Sequence, residues 1–419
     1  MPPPILIFTN TFPYETGETF LGTEFPYLIS LNRPIVIIPL YGEGRKRFLP
    51  SPVVVTPPLL PFSPKERLKL LFFGIFNVAP LFFALHDFFT QRIWRSGNRI
   101  WQFGTSVLLV RSILSIDHRL FDKYVTGIEG TTLYFYWGNQ TALILPFLRK
   151  RFHKKYPNKT FPKTIVRFHR TDLYEEAKGF LPFRNRLFPA IDLACPISQH
   201  GANYLKQRYG ALAPPISVSP LGTVDYGLGP SPVPHGAFHL VSCANVSPVK
   251  RIELTLEALL WLFHQQRINQ PVCWTHIGEG PLRSRLEATI AVQNRSNLLT
   301  INFCGYMSHE AIMEYYQKTA VDLFVSTSRS AGIPVSMMEA LSFGIPVMAT
   351  AVGGVPELVS DKAGRLLPEN PTVEEVAQQL LDFIQLPVSE RAHIRKQARA
   401  VWEAGWNGEV NFREFVSLL

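Results

Sequence analysis

Hydrophobic and polar positions follow a regular rhythm from residue 236 onward. Short apolar runs of β-forming residues alternate with longer segments in which apolar residues recur every three or four positions. In chain order the pairs are HLVSCAN and IELTLEALLWLFHQQ, VCWTHIG and PLRSRLEATIAVQ, LTINFCG and SHEAIMEYYQK, VDLFVST and PVSMMEALSF, PVMATAV and VPELVS, and GRLLP and TVEEVAQQLLDFIQ. This alternation, with strands apolar along their whole length, predicts a parallel, doubly wound sheet covered by helices on both faces.

The first half of the chain is less regular but ends in the same style. Buried strands are predicted at Ile5 to Thr9 and at the segments TIVRFH, DLACPIS and ISVSPLG. The following run GPSPVPHG contains Pro230, Pro232 and Pro234, a composition typical of an interdomain linker. We therefore predict an N-terminal domain of residues 1–229 and a C-terminal domain that begins at residue 230.

Length and composition agree with two globular domains. A chain of 419 residues is too long for one ordinary hydrophobic core, and 46% hydrophobic with 18% charged residues excludes a disordered protein. The four cysteines lie beside apolar residues without C-x-x-C spacing, so we expect reduced core thiols rather than disulfides or a zinc site. The first residues, MPPPILIFTNTFPYE, contain no basic residue and are not typical of a secretory signal peptide.

Positive charge is concentrated in the first half. Residues 1–220 contain 27 Lys and Arg against 13 Asp and Glu, whereas residues 221–419 contain 15 against 19. Such a basic half predicts contact with an anionic surface, either phospholipid or a polyanion. Nucleic acid is not the expected partner, because the basic run LRKRFHKKYPNK is not followed by a recognisable nucleic-acid-binding pattern. For that run alone, an ordinary solvated charge cluster is an equal alternative.

The apolar run from Leu70 to Leu85 bears on the same question. It covers 16 residues and contains Asn77 and Pro80, so it is shorter than the roughly 18–20 apolar residues that cross a bilayer. We expect this run to lie on a membrane rather than to span it.

The loops after the second-half strands carry groups suited to a diphosphate. Ligands of open parallel sheets bind beyond the carboxyl ends of the strands. The groups found there are Lys250 and Arg251, then Gly278-Glu279-Gly280, then Ala331-Gly332-Ile333-Pro334, and finally Gly353-Gly354. Glycines allow close backbone approach, helix N-termini offer free N–H groups, and the two cations neutralise phosphate. Each group alone is ordinary turn chemistry or surface charge, but the ordered series predicts a diphosphate pocket.

Glu339 follows the third of these loops on a short predicted helix. Met338, Leu341 and Ile345 form the apolar stripe of that segment, and Glu339 falls on another face. From the pattern alone, a surface acid and a ligand-binding acid are equal interpretations.

Several motifs resemble the retaining glycosyltransferases of family 4. In the second half these are GIPVSMMEALSFGIPVMATAVGGVPELV, VSPVKRIELTLEALL and HIGEGPLRSRLE. In the first half FPYETGETFLGTEFPYL, YFYWGNQTAL, RFHRTDLYEE and PISQHGANYLKQRYG are similar to the acceptor domain of members that build bacterial exopolysaccharides and lipid-linked glycans. The resemblance implies the GT-B fold, an α/β architecture with two Rossmann-like domains facing across a cleft. It also implies a donor-binding domain over residues 230–402 and a helix at 403–419 that packs back on the first domain.

The resemblance assigns roles to individual residues. Glu339 would hold the ribose hydroxyls, Lys250 the diphosphate, and His169 would reach the donor sugar; these three are the expected catalytic residues. The remaining residues expected to bind the donor are Gly17, Arg251, Gly278, Glu279, Tyr306, Ala331, Gly332, Ile333, Pro334 and Val335.

The implied reaction moves a sugar from a nucleotide-sugar to a hydroxyl of a glycan or lipid-linked glycan, with retention of configuration. We expect neither a metal ion nor another cofactor, since no Asp-x-Asp cluster occurs where one would be needed. The expected partners are the nucleotide-sugar, the acceptor and an anionic membrane surface. The expected location is the cytoplasm, on the inner face of the cell membrane.

Two positions depart from the family's pattern. Ala331 stands where the family usually has a glutamate, and Asn245 where it usually has an arginine. These losses leave open a second hypothesis, a catalytically weakened or inactive member that serves as a membrane-bound assembly partner. A third hypothesis, a sugar-nucleotide epimerase of the same architecture, is disfavoured by the extended acceptor-type first half.

Overall fold

The computed structural model describes residues 2–14, 18–42, 44–60, 79–115, 129–175, 179–232 and 236–419. Its contacts divide the chain into two compact units. The first unit contains Met1–Ser219 and Phe412–Leu419, and the second contains Pro220–Asn411. The sequence placed the division after residue 229, in the proline-rich run, of which Pro234 lies outside the described residues.

The first unit is built on a six-stranded parallel sheet. Its strands are β1 Ile5–Thr9, β2 Ile35–Pro39, β3 Val53–Val55, β4 Thr132–Phe135, β5 Lys163–Phe168 and β6 Leu193–Pro196. Its helices are α1 Thr19–Ile29, α2 Ala79–Thr90, α3 Gly97–Ser115, α4 Leu145–Lys155, α5 Arg170–Leu173, α6 Arg184–Leu187 and α7 Gln199–Tyr209. The strands lie in the order β3-β2-β1-β4-β5-β6.

The second unit repeats this plan. Its strands are β7 Phe238–Cys243, β8 Val272–Ile277, β9 Leu299–Gly305, β10 Leu323–Ser326, β11 Val347–Thr350 and β12 Gly364–Leu367. Its helices are α8 Ile252–His264, α9 Arg283–Gln293, α10 His309–Lys318, α11 Val335–Ser342, α12 Val355–Leu358, α13 Val373–Ile384 and α14 Val388–Gly405, and α15 Gly408–Val416 runs from this unit into the first. The strand order is β12-β11-β10-β7-β8-β9, so both sheets have the order of dinucleotide-binding folds.

Burial explains why these runs form strands covered on both faces. In β1 the side chains of Leu6 and Phe8 join one hydrophobic cluster, whereas Ile5 and Ile7 join another. All four are fully buried. Because successive side chains of a strand point to opposite faces, apolar residues at every position require a layer on each side of the sheet. The prediction of two doubly wound α/β domains is confirmed.

The final segment of the chain packs on the first unit. Phe415 is buried, and the guanidinium of the buried Arg167 lies 4.0 Å from the centroid of its ring. Arg167 also pairs with the carboxylate of Glu24, which accepts a hydrogen bond from the Tyr134 hydroxyl (2.9 Å). Pairing is what allows two charges to persist at full burial.

Two details differ from the expectations. The segment ISVSPLG does not form a strand, because Pro215 precedes it, Pro220 lies within it, and only Ile216 makes an isolated bridge. All four cysteines are free as expected, but Cys304 is exposed. It lies on β9, the edge strand, where alternate side chains point away from the core.

The apolar run Leu70 to Leu85 is described only in part. Residues 70–78 lie outside the described residues, and the run ends within α2. Among the residues that the structure describes, no helix is both long and apolar enough to cross a membrane.

Candidate functional site

The second sheet brings its predicted loops together at the carboxyl ends of its strands. The amide of Val246, after β7, donates to the carbonyl of Glu279, after β8 (2.8 Å). The amide of Arg329, after β10, donates to the carbonyl of Val249 (2.8 Å). Since each bond joins loops from different strands, these loops form one continuous surface at the edge of the sheet.

Gly278 stands where two of these loops touch. Its φ is +145°, and a Cβ there would lie 2.0 Å from the carbonyl oxygen of Ala244. Its amide donates to the carbonyl of Gly305 at the end of β9 (2.8 Å). A side chain at this position would push the loop after β8 away from the loop after β7.

Gly353, after β11, likewise allows two loops to approach each other closely. Its φ is +56°, and a Cβ there would lie 2.0 Å from the carbonyl oxygen of Ala331. The amide of the next residue, Gly354, donates to the carbonyl of Gly332 (3.0 Å). The glycine pair after β11 therefore fixes the loop that leads into α11.

This loop, residues 331–334, ends at the N-terminus of α11. Ala331 and Ile333 are buried, whereas Gly332, Pro334 and Val335 are partly exposed. Pro334 is the N-cap residue and makes no side-chain hydrogen bond to the helix. The first N–H groups of a helix are the usual backbone donors to an anion.

Glu339 lies on α11 and is only 6% exposed, so it is not a surface acid. Its Oε1 lies 2.9 Å from Nε2 of His309, the first residue of α10. This hydrogen bond is the main cause that raises the pKa of His309, and burial opposes it. His309 was not among the predicted site residues, because it lies 30 residues from Glu339 in a segment that the sequence marks only as a helix.

Lys250 and Glu339 act on the same strand end. The pKa of the Cys243 thiol, at the end of β7, is raised to about 12, first by burial and then by the charge of Glu339, while the charge of Lys250 lowers it. Interactions between charges weaken with distance. The opposite effects on one thiol therefore indicate that Glu339, on α11, and Lys250, on the loop after β7, both lie near the carboxyl end of β7.

Arg251 holds the loops rather than facing away from them. It is buried, and its Nε donates to the carbonyl of Thr327 (2.6 Å) while its Nη2 donates to the carbonyl of Glu369 (2.8 Å). Burial, and then the charge of Arg329, lower its pKa. Since these carbonyls use two of its nitrogens, the arrangement indicates a positioning residue for the site.

Three further predicted positions are more exposed. Tyr306 is 75% exposed after β9, and Asn245 is exposed after β7. The Glu279 carboxylate forms an ion pair with Arg283, the first residue of α9. These side chains lie around the loops at the edge of the sheet, on the side of β8 and β9.

The first unit holds His169, at the start of α5. Its Nε2 donates to the carbonyl of Tyr136 (3.1 Å), and its amide donates to Asp172 Oδ1 (2.7 Å). The ring packs against Trp137, with 4.4 Å between centroids. Burial, reinforced by the charge of Arg167, lowers the pKa of His169 to about 3. The imidazole is therefore neutral at ordinary pH.

Glu18 closes the loop after β1. Its carboxylate accepts the amides of Asn10 (2.8 Å), Thr11 (2.9 Å) and Phe12 (2.6 Å), and the indole Nε1 of Trp137 (2.5 Å). The amides at the end of the first strand, which bind phosphate in many dinucleotide-binding folds, are thus occupied by a carboxylate of the chain itself. The neighbouring Gly17 lies outside the described residues.

A cavity of about 300 Å³ lies in the first unit beside α3. Gln102, Thr105 and Ser106 line it from the helix, and Asn139 and Gln140 line it from the loop after β4. Its remaining walls include the apolar Leu109, Leu143, Phe180 and Leu181. Apart from Arg184, whose guanidinium donates to the carbonyls of Gly138 and Asp172, the polar side chains of the lining are amides and hydroxyls, which hydrogen-bond to neutral polar molecules. The sequence analysis did not identify this cavity.

The structure thus brings most predicted residues to one edge of the second sheet, while His169 belongs to the first unit. Within the described ranges, no group of three or more His, Cys, Asp or Glu could hold a metal ion.

The second unit matches a known family. Residues 230–401 match the profile of the family described as Glycosyl transferases group 1. The chain is 32% identical over 268 residues to the putative colanic acid biosynthesis glycosyltransferase WcaL of Escherichia coli, over 61% of this chain and 64% of the relative. It is 27% identical over 270 residues to the amylovoran biosynthesis glycosyltransferase AmsK of Erwinia amylovora, over 61% of this chain and 63% of the relative. The matches thus span somewhat less than two thirds of these relatives.

Solved structures agree on the fold. The lipopolysaccharide outer core galactosyltransferase WaaB has a TM-score of 0.65 at 14% identity, covering 98% of each chain. HepE of Anabaena, solved in complex with UDP and glucose, has a TM-score of 0.62 at 16% identity, covering 99% of this chain and 98% of HepE. The predicted GT-B fold class is confirmed. The family match and the curated relatives give no support to the hypothesis of an inactive assembly partner.

Proposed function

We propose that the protein is a glycosyltransferase of bacterial surface polysaccharide synthesis, because residues 230–401 match the family described as Glycosyl transferases group 1. It transfers a sugar from a nucleotide-sugar to a hydroxyl of a glycan or lipid-linked glycan, with retention of configuration. The observation that carries the proposal is the buried Glu339 on α11, behind loops held together at Gly278 and Gly353, at the edge of the second sheet where Lys250 also lies.

The donor binds through its nucleotide at this edge. The buried Glu339 carboxylate accepts hydrogen bonds from the ribose hydroxyls, and His309 orients it from behind. The N-terminus of α11 and the ammonium of Lys250 receive the diphosphate. The first unit is the weaker candidate for the nucleotide, because Glu18 already occupies the amides after β1.

The chemistry requires stabilisation of the leaving group. The bond between the anomeric carbon and the diphosphate oxygen breaks, and the acceptor oxygen bonds to the same face of the sugar. The acceptor's proton passes to the departing diphosphate. Lys250 and the backbone N–H groups bind negative charge that increases in the transition state, so their contribution is mainly electrostatic. We expect turnover to persist when a chelator is present.

His169 contributes as a neutral ring. A carbonyl can only accept, so the bond to Tyr136 places the imidazole proton on Nε2. The burial that lowers the pKa of His169 to about 3 excludes a charged role near pH 7. We propose that the ring presents a polar but uncharged wall to the donor sugar.

The acceptor is proposed to bind the first unit. The amide and hydroxyl groups of Gln102, Thr105, Asn139 and Gln140 in its cavity suit carbohydrate hydroxyls. The apolar wall around Phe180 suits the C–H face of a sugar ring.

A titration tests the proposal directly. The purified protein is titrated calorimetrically with UDP, GDP and ADP, and UDP comes first because HepE was solved with UDP. Each matching nucleotide-sugar is then supplied with an acceptor extract, with and without chelator, and transfer is followed by mass spectrometry. Saturable binding of one nucleoside diphosphate and transfer from its sugar are the expected results. Absence of binding to every nucleotide would overturn the proposal.

A further inference from the structure

Apolar side chains are concentrated on one exposed surface of the first unit, formed by α2, the 3₁₀ turn Ile93–Arg95 and α3. Six large apolar residues are exposed there: Leu85 (52%), Phe89 (62%), Trp94 (48%), Ile100 (44%), Trp101 (70%) and Leu108 (39%). We call this surface the aromatic hairpin face. Clustered exposure of large apolar residues marks an interaction surface, whereas single exposed residues are ordinary.

Both helices are apolar on two sides. α3 buries Phe103 and Val110 in the core of the first unit, yet it exposes Trp101 and Leu108 elsewhere on its circumference. A helix that contacts a core on one side and water on the other normally has a polar outer face. The outer face of α3 therefore carries three large apolar side chains, Ile100, Trp101 and Leu108, beside the polar Asn98 and Thr105.

The aromatic residues of α2 and the 3₁₀ turn contact one another. The rings of Phe89 and Trp94 lie 6.1 Å apart, and Trp94 also approaches Phe88 (6.4 Å). These contacts connect the apolar side chains of α2 with the 3₁₀ turn, and Ile100, Trp101 and Leu108 add exposed apolar side chains from α3.

Charge identifies the partner. Between residues 79 and 115 the chain has four arginines and one acid, Asp87. Asp87 is buried and paired with Arg186, whereas Arg92 and Arg95 are exposed beside Trp94. The face is therefore apolar and cationic, without an exposed acid among residues 84–114.

We propose that the aromatic hairpin face docks on an anionic lipid surface. Tryptophan and phenylalanine insert at the boundary between headgroups and acyl chains, and exposed arginines bind lipid phosphates. This surface shares α2 and Leu85 with the Leu70 to Leu85 run, but its tryptophans and arginines lie outside that run and outside the basic run at 148–159, on which the sequence-based expectation rested. The lipid proposal is linked to the proposed function because a lipid-linked acceptor would lie at the same membrane. Binding to vesicles can nevertheless be measured without any sugar transfer.

Sedimentation with vesicles tests the proposal. The parent is mixed with vesicles of phosphatidylcholine alone or of an equimolar mixture with phosphatidylglycerol. We expect binding to the mixed vesicles that weakens with added salt. Loss of one arginine near an anionic surface lowers the partition coefficient about fivefold, so Arg92→Ser with Arg95→Ser should lower it by more than tenfold. Trp101→Ala with Phe89→Ala should also release the protein.

Two controls distinguish a specific loss of lipid binding from a general loss of structure in the variants. Phe48→Ala removes a ring that is 94% exposed outside the hairpin, and it should bind vesicles as the parent does. All variants should keep the parent's affinity for UDP, or for whichever nucleoside diphosphate binds, so failure of the lipid proposal is distinguishable from failure of the enzyme proposal.

Three outcomes would overturn it. The first is absence of binding to the mixed vesicles, and the second is equal binding by parent and hairpin variants. The third is a parent that self-associates in analytical ultracentrifugation and becomes monomeric in Trp101→Ala without ever binding lipid, which would assign the face to a second copy of the chain.

Discussion

The imidazole of His309 and the carboxylate of Glu339 form a hydrogen bond of 2.9 Å between helices α10 and α11. The two side chains differ in exposure, 42% for His309 and 7% for Glu339. A partly exposed ring thus fixes a buried acid, and the acid is the group that we propose for the ribose.

The first prediction concerns pH. The pKa of His309 is raised above its ordinary value near 6.5 by the bond to Glu339, so the folded state favours the protonated ring. This contribution to stability is fully present below the ordinary pKa and is lost as pH rises through the raised one. The urea-unfolding free energy of the parent, minus that of His309→Gln, should therefore fall with increasing pH across this window. Parallel pH profiles would contradict the assignment.

The second prediction concerns Glu339 itself. Glu339→Gln keeps the shape but loses a charge-assisted hydrogen bond, which typically contributes roughly 1.5–3 kcal/mol. The affinity for the nucleoside diphosphate should fall by about one to two decades in calorimetric titration. Glu310→Gln, an exposed acid beside His309, serves as the control and should bind like the parent. Equal affinity in Glu339→Gln would remove Glu339 from the donor site.

The third prediction concerns Lys250. Its charge should stabilise the departing diphosphate more than the intact donor, so Lys250→Ala should lower kcat by about a hundredfold with a smaller change in KM. Lys396→Ala removes an exposed lysine of α14 and should leave both constants unchanged. A folded Lys250→Ala variant with the parent's kcat would exclude this role.

The fourth prediction concerns Ala331, where the family usually has an acid. Ala331→Glu should leave nucleoside diphosphate affinity nearly unchanged, because Glu339 and Lys250 remain. It should alter the sugar step, either by raising the rate or by changing which donor sugar is used. A panel of nucleotide-sugars with a common base distinguishes these effects, and an unchanged panel would show that position 331 does not face the sugar.

The fifth prediction concerns Gly353. A methyl group there would meet the Ala331 carbonyl oxygen at 2.0 Å with φ at +56°, so Gly353→Ala should displace the loop before α11. We expect a loss of roughly 1–3 kcal/mol in unfolding free energy and weaker nucleotide binding. The control is Gly405→Ala, since a Cβ at Gly405 would have nothing within 4 Å. Unchanged binding in Gly353→Ala would mean that this loop is not part of the site.

The second unit was largely predictable from sequence because its signals are local. The run LTINFCG coincides with β9, and the glycines after the strands stand where backbones approach each other. Apolar periodicity and turn residues report such features within a window of a few residues.

The features that sequence could not predict depend on contacts between distant segments. His309 meets Glu339 only because α10 and α11 pack together, and Arg251 reaches the Glu369 carbonyl across 118 positions. The sequence suggested that Lys250 and Arg251 both neutralise phosphate, whereas the Arg251 guanidinium donates to backbone carbonyls. Of two adjacent cations, one is buried among carbonyls, and charge alone does not indicate which.

The Glu18 carboxylate determines which of two sheets with the same strand order can bind a phosphate after its first strand. By strand order alone, either sheet could bind a phosphate at the loop after its first strand, and the two units cannot be distinguished on that basis. In the first unit the chain itself supplies the anion at this loop, because three backbone amides donate to the Glu18 carboxylate. The two units can therefore differ in function while sharing one strand order. In the first unit a single acidic side chain, Glu18, occupies the amides after the first strand that could otherwise bind a phosphate.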